Sequence, residues 1–83
     1  MPEAKFKIYG TNWCGDCLRV RRFLDQKGVA YDFINIDLDK SGEQLVLATN
    51  RGMRSVPTIV FDDGSILVEP STTALAQKLG VPA

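Results

Sequence analysis

Two cysteines, Cys14 and Cys17, stand three residues apart in the run Trp13-Cys14-Gly15-Asp16-Cys17, and the chain has no others. A loop this short removes little freedom from the unfolded chain, so the pair is not placed for stability. In reducing surroundings a Cys-x-x-Cys is catalytic or metal-binding more often than structural. The reactive form of cysteine is the thiolate, so a working cysteine must carry negative charge more readily than a free thiol does. Cys17, Val20 and Leu24 recur at helical spacing from Cys14 onward, which sets Cys14 at a helix start. There the unpaired backbone N–H groups and the positive end of the macrodipole favour an anion on its sulfur. Cys17 lies one turn below, on the line of Val20 and Leu24, and is expected on the packed face, less exposed and more protonated. Arg19, Arg21 and Arg22 sit farther along the helix and add only a screened contribution. Such an unequal pair suits stepwise exchange, in which the outer thiolate attacks a disulfide sulfur and the inner thiol resolves the mixed disulfide.

Other readings of the pair remain open at this point. Two inert cysteines are one. A zinc site is another, but zinc takes four ligands, and two cysteines with no histidine would need carboxylates to complete it. An iron-sulfur cluster shared between two chains, which would make the protein a carrier, is a third. No bound metal or cofactor is expected.

Val56-Pro57 precedes an apolar run, the strand position where proline costs no ladder bond. A cis bond there turns the Val56 backbone toward the cysteines and leaves its polar groups free for an extended substrate. Trp13 is either a stacking wall for a thiol ligand or an exposed cap on the sheet edge. Arg54 either holds a ligand carboxylate or is solvated. Asp16, between the cysteines, suits the helix dipole while opposing a thiolate, and the plain alternative is a solvated cap residue.

The elements that must position these residues follow from periodicity. Phe6 and Ile8 alternate with Lys5 and Lys7, a strand from about Ala4 to Tyr9. The Cys14 helix is closed by Gly28, and Tyr31 to Ile36 is aromatic and β-branched, a second strand after a short αβ connection. Ser41 with Gln44 reads as a capping box opening a helix that frays near Asn50 to Gly52. Thr58 to Phe61 reads as a strand buried on both faces, turned by Asp62-Asp63-Gly64 into Ile66 to Val68. Pro70-Ser71 starts a last helix with Leu75 and Leu79, ended by Gly80 and Pro82. The order β-α-β-α-β-β-α predicts an α/β fold, a four-stranded mixed sheet flanked by three helices. The cysteines then fall at the C-terminal end of the first strand, where clefts of such sheets open.

The 83 residues, 45% hydrophobic and 24% charged, suit one folded domain over residues 1–83. Ten basic residues against ten acidic ones leave no field to hold a nucleic acid or an anionic membrane. No run approaches the ~18 apolar residues of a spanning helix, and the N-terminus lacks the apolar core of a signal peptide, so a soluble cytoplasmic protein is expected.

With Trp13 to Cys17, Arg54 to Thr58, Asp63 to Ser65 and Pro70-Ser71 in order, the chain resembles the glutaredoxins over nearly its whole length, and most closely their mycoredoxin branch. The resemblance implies the thioredoxin fold, Cys14 as nucleophile with Cys17 as its partner in a redox-active disulfide, and a cis Pro57. The residues themselves make Trp13, Asp16, Arg54, Val56 and Pro57 the candidate substrate contacts. The resemblance also implies reduction of protein mixed disulfides by a monomer, with mycothiol or glutathione as reductant and a flavoprotein reductase behind the thiol. Glutathione users carry a lysine three residues before the first cysteine and Gly-Gly then Ser-Asp near the last helix. Thr11, Val68-Glu69 and Ser71-Thr72 stand there instead, so mycothiol, which lacks those carboxylates, is the better match. Asp16 replaces the aromatic residue usual between the cysteines. A redoxin that serves ribonucleotide reductase and is recharged by thioredoxin reductase is the alternative within the same chemistry.

Overall fold

The computed structural model describes residues 6–83. The chain runs β1 (Phe6–Gly10), α1 (Gly15–Gln26), β2 (Asp32–Asn35), α2 (Lys40–Thr49), β3 (Thr58–Phe61), β4 (Ile66–Val68) and α3 (Thr72–Leu79), the expected order. Of the expected first strand, Ala4 and Lys5 lie outside the described residues. The sheet order is β2-β1-β3-β4, with β1 parallel to β2 and antiparallel to β3, and β4 antiparallel to β3. The two inner strands meet at Ile8 opposite Ile59, both fully buried.

The sheet has two unequal faces. One carries the larger core, in which Phe6, Ile8, Ile59 and Phe61 from the sheet pack with Val20, Phe23 and Leu24 of α1 and Leu75 and Ala76 of α3. The other carries Tyr9, Ile36 and Val46. The period of two in β1 therefore holds only as far as Lys7. Tyr9 points away from the Ile8 face and is still buried, because an inner strand is covered on both sides. α2 begins at Lys40, and its cap is Asp39, whose carboxylate accepts from Gly42 N–H at 2.8 Å. Ser41 instead donates its hydroxyl to the same oxygen at 2.7 Å, so the expected Ser41–Gln44 box gives way to an aspartate cap two residues earlier. The other punctuation is as expected. Gly28 and Gly80 hold left-handed backbone (φ 67° and 71°) beyond α1 and α3, Ser71 caps α3 through Ala74 N–H, and the β3–β4 hairpin closes at Gly64.

Candidate functional site

β1 ends at Gly10, whose carbonyl accepts from Ile36 N–H at 2.9 Å, and the chain then crosses Thr11 to Trp13 before entering α1. Cys14 is the N-cap of α1. Its sulfur accepts the Cys17 backbone N–H at 3.3 Å, taking the place of the hydroxyl or carboxylate that normally satisfies this donor. Cys14 is half-buried, and its thiol lies 3.8 Å from the Val56 carbonyl, to which it donates. Val56-Pro57 is cis, as expected, and Pro57 is buried at the head of β3.

Cys17 is fully buried. Its sulfur sits on Gly10, where a Cβ would lie 2.6 Å from it, so close an approach of α1 to β1 requires glycine at that strand end. Burial pushes the Cys17 thiol up from 9.0 to about 12. The hydrogen bond and charge of Cys14 push the same way, against the lowering effect of the Thr11 backbone N–H. At neutral pH Cys17 is a thiol. Thr11 is itself fully buried, and its hydroxyl has no hydrogen-bond partner among the described residues.

A polar ring closes around the rim of Cys14. Trp13, 70% exposed, donates its indole N–H to Asp37 at 2.8 Å. The other oxygen of Asp37 takes an Arg54 terminal N–H, and Arg54 Nε donates to Glu43 at 3.0 Å. Two residues on from Arg54, the Val56 carbonyl returns to Cys14. Asp37 is aimed by a turn at the end of β2, where its N–H donates to the Asn35 side chain at 3.0 Å. The guanidinium and the indole hold the Asp37 carboxyl below the usual carboxylate range. Arg54, expected either to meet a ligand carboxylate or to be solvated, instead engages two carboxylates of its own chain. Asp16 is exposed and lies 3.6 Å from Arg19 Nε. Arg19 mainly ties α1 to the start of α3, through the Pro70 carbonyl at 2.8 Å and Thr72 at 2.9 Å, and Arg21 stacks on Phe33 at 4.0 Å. On that flank a groove lined by Gly15, Arg19, Arg22, Phe23, Gln26 and Thr72 runs between α1 and the start of α3.

Of the residues singled out in the sequence, Trp13, Cys14, Arg54 and Val56 lie on this ring with Pro57 next to Val56, Cys17 is buried, and Asp16 meets Arg19 instead. Asp37, Glu43 and Gly10 are not among them. The one local signal for Asp37 is the Asn35-Ile36-Asp37 turn directly after a strand. Among the described residues no group of three or more Cys, Asp or Glu side chains could hold a metal ion, and no helix is long and apolar enough to cross a membrane.

Residues 6–66 match the family model for glutaredoxin. The glutaredoxin-type protein Rv3198A of Mycobacterium tuberculosis is 40% identical over 79 residues, 95% of this chain and 94% of that one. Mycoredoxin 1 of Corynebacterium glutamicum is 35% identical over 72 residues, 87% of this chain and 89% of that one. Among solved structures, a mutant form of the thioredoxin-like protein BC3987 superposes with a TM-score of 0.82 at 26% identity, covering 96% of this chain and all of that one.

Proposed function

The chain belongs to the glutaredoxin family of thiol-disulfide oxidoreductases, and on that premise we propose that it reduces protein mixed disulfides carrying a low-molecular-weight thiol, through Cys14. The observation that carries this reading is the inequality of the two sulfurs. One is half-exposed and accepts a helix N-terminal N–H, and the other is fully buried with its pKa raised to about 12.

The Cys14 thiolate attacks the small thiol's sulfur. A new S–S bond forms to Cys14, the old one breaks, and the protein leaves as a thiolate that takes a proton from water. A second small thiol then attacks the Cys14-bound sulfur, releasing the small-molecule disulfide and restoring Cys14. Alternatively Cys17 loses its proton and attacks Cys14, expelling the small thiol and closing a Cys14–Cys17 disulfide. The hydrogen bond and charge of Cys14 are two of the causes that hold the Cys17 proton. The charge vanishes and the hydrogen bond weakens once Cys14 is in a mixed disulfide, so Cys17 gives up its proton more readily at the step that needs it, while burial, the largest cause, still opposes ionisation.

In this reading Trp13, Asp16, Arg54, Val56 and Pro57 border the bound substrate. The working unit is a cytoplasmic monomer of one domain, mycothiol or glutathione is the reductant, and a flavoprotein reductase keeps that thiol reduced. The test is reduction of one protein mixed disulfide in three parallel mixtures: mycothiol with its reductase, glutathione with its reductase, and thioredoxin reductase alone. Turnover in a small-thiol mixture is expected. Turnover with thioredoxin reductase alone would replace this reading by that of a redoxin electron donor.

A further inference from the structure

Arg54 stands two residues before Val56, whose carbonyl meets the Cys14 sulfur. It does not face the site as a free charge. Its Nε and one terminal N–H are held by Glu43 and Asp37, and Asp37 also fixes the indole of Trp13, the residue before Cys14. Two carboxylates around one guanidinium leave this rim with a net charge of −1.

We propose that Asp37 and Glu43 set the thiol specificity of the site by masking Arg54, so that the favoured small thiol is one whose body carries no carboxylate. This rests on the reading of Cys14 as the residue that attacks mixed disulfides. A ligand carboxylate arriving beside Val56 meets an arginine already paired and a surplus of negative charge. The guanidinium keeps three N–H groups free of these two bonds, but a carboxylate that reaches them is repelled by two carboxylates while being attracted by one cation. A hydroxyl-bearing thiol meets no such penalty, and the Trp13 face, 70% exposed, remains open to its body. Asp37 and Glu43 touch no reacting atom. They are positioning residues acting through Arg54 and Trp13, and the discrimination they impose is electrostatic, so it weakens with salt.

The test follows loss of the reduced protein by intact-protein mass under single-turnover conditions, counting both the mixed disulfide on Cys14 and the Cys14–Cys17 disulfide that can succeed it. The probes are glutathione disulfide, which bears carboxylates, and hydroxyethyl disulfide, which bears none, and the proteins are the parent, Asp37→Asn and Glu43→Gln. Asparagine still offers an oxygen to the indole, so the Trp13 anchor is retained. Each variant removes one masking charge and is expected to raise the rate with glutathione disulfide by on the order of fivefold. The rate with hydroxyethyl disulfide should stay within about twofold of the parent. The parent's preference for the neutral disulfide should shrink as salt is added. Equal changes with the two disulfides, or a parent preference indifferent to salt, overturn the masking while leaving Cys14 as nucleophile. A parent whose Cys14 attacks neither disulfide overturns the functional reading, and the masking with it.

Discussion

The rim around Cys14 and the seat beneath Cys17 lie one helical turn apart and are built on opposite terms. The rim is an open ring of polar contacts, Trp13 to Asp37 to Arg54 to Glu43, in which every charge is partnered and water reaches every member. The seat is dry. Cys17 is packed onto Gly10 so closely that one added methyl would overlap its sulfur, with Phe33 against the same spot. Proximity in sequence therefore says little about medium, and the medium is what separates two chemically identical thiols. The rim leaves a sulfur reachable and the seat keeps one protonated at neutral pH. Substitutions in the rim should alter rates and selectivity with little change in stability, and those in the seat should do the reverse.

The largest expected effect separates the two sulfurs directly. Cys14→Ser should lower mixed-disulfide reduction by at least about a thousandfold, because a hydroxyl stays protonated and cannot carry a disulfide. Its midpoint of urea unfolding should stay close to the parent's, since Cys14 is half-buried at the helix start. Cys17→Ala, which avoids burying a new hydroxyl, should retain reduction of small-thiol mixed disulfides and lose much of the reduction of protein disulfides that need an internal resolving thiol. Equal loss of mixed-disulfide reduction in the two variants would erase the distinction.

Gly10→Ala probes the seat. The new Cβ would lie 2.6 Å from Cys17 Sγ and 3.3 Å from Phe33, an overlap that should cost about 2 kcal/mol in chemical denaturation. In the Cys17→Ala background the sulfur is gone, the backbone at Gly10 needs no positive φ, and the same change should be close to neutral because alanine narrows the unfolded ensemble. The resulting coupling, at least about 1 kcal/mol, is what a double-mutant cycle measures. Equal costs in both backgrounds would show that the close approach is not what constrains Gly10.

The protonated seat also makes stability depend on pH. Cys17 ionises at 9.0 in its ordinary state and at about 12 when folded, so between those values the unfolded chain holds fewer protons and stability falls as pH rises. Below the lower value the contribution is fully present. By pH 10 the parent should have lost about 1 kcal/mol more than Cys17→Ala, relative to neutral pH. Every other group is common to the two proteins and cancels in the difference. Parallel stability curves for the two proteins through this window would mean that Cys17 is not held protonated by burial.

Much of this arrangement is legible in the order of residues alone. The seven elements appear in the order that periodicity predicts, because each apolar stripe meets one neighbouring layer. The positions of Cys14 and Cys17 follow from a single helical register. The legible part ends where a role depends on residues far apart in sequence. Asp37 reads as one more aspartate after a strand until Trp13, 24 residues before it, and Arg54, 17 after it, are brought to its two oxygens. Gly10 looks like ordinary loop punctuation until Cys17 is seated on it. Ser41 makes a plausible cap with Gln44, but Asp39 offers a charged acceptor to the same helix end, and the serine hydroxyl turns to donate to it.

The smallest expected effect belongs to Asp16, the exposed residue between the two cysteines. It lies in the first turn of α1, where a carboxylate suits the helix dipole, and 3.6 Å from Arg19, whose other nitrogens already hold Pro70 and Thr72. The pair is exposed and geometrically loose, so Asp16→Asn should cost no more than about 0.5 kcal/mol of stability. Its charge is also the last and least of the causes that raise the Cys17 pKa, behind burial and the two contributions of Cys14. Removing it should therefore move Cys17 ionisation downward, and by less than removing Cys14 does. Following thiolate absorbance against pH in Cys14→Ser, with and without Asp16→Asn, isolates the Cys17 titration and leaves burial and Asp16 as the remaining influences that raise it. A downward displacement means that rim charge is felt in the seat. An unchanged titration means that the seat is screened from it and that burial alone keeps Cys17 protonated, and an upward one would contradict the sign of the interaction.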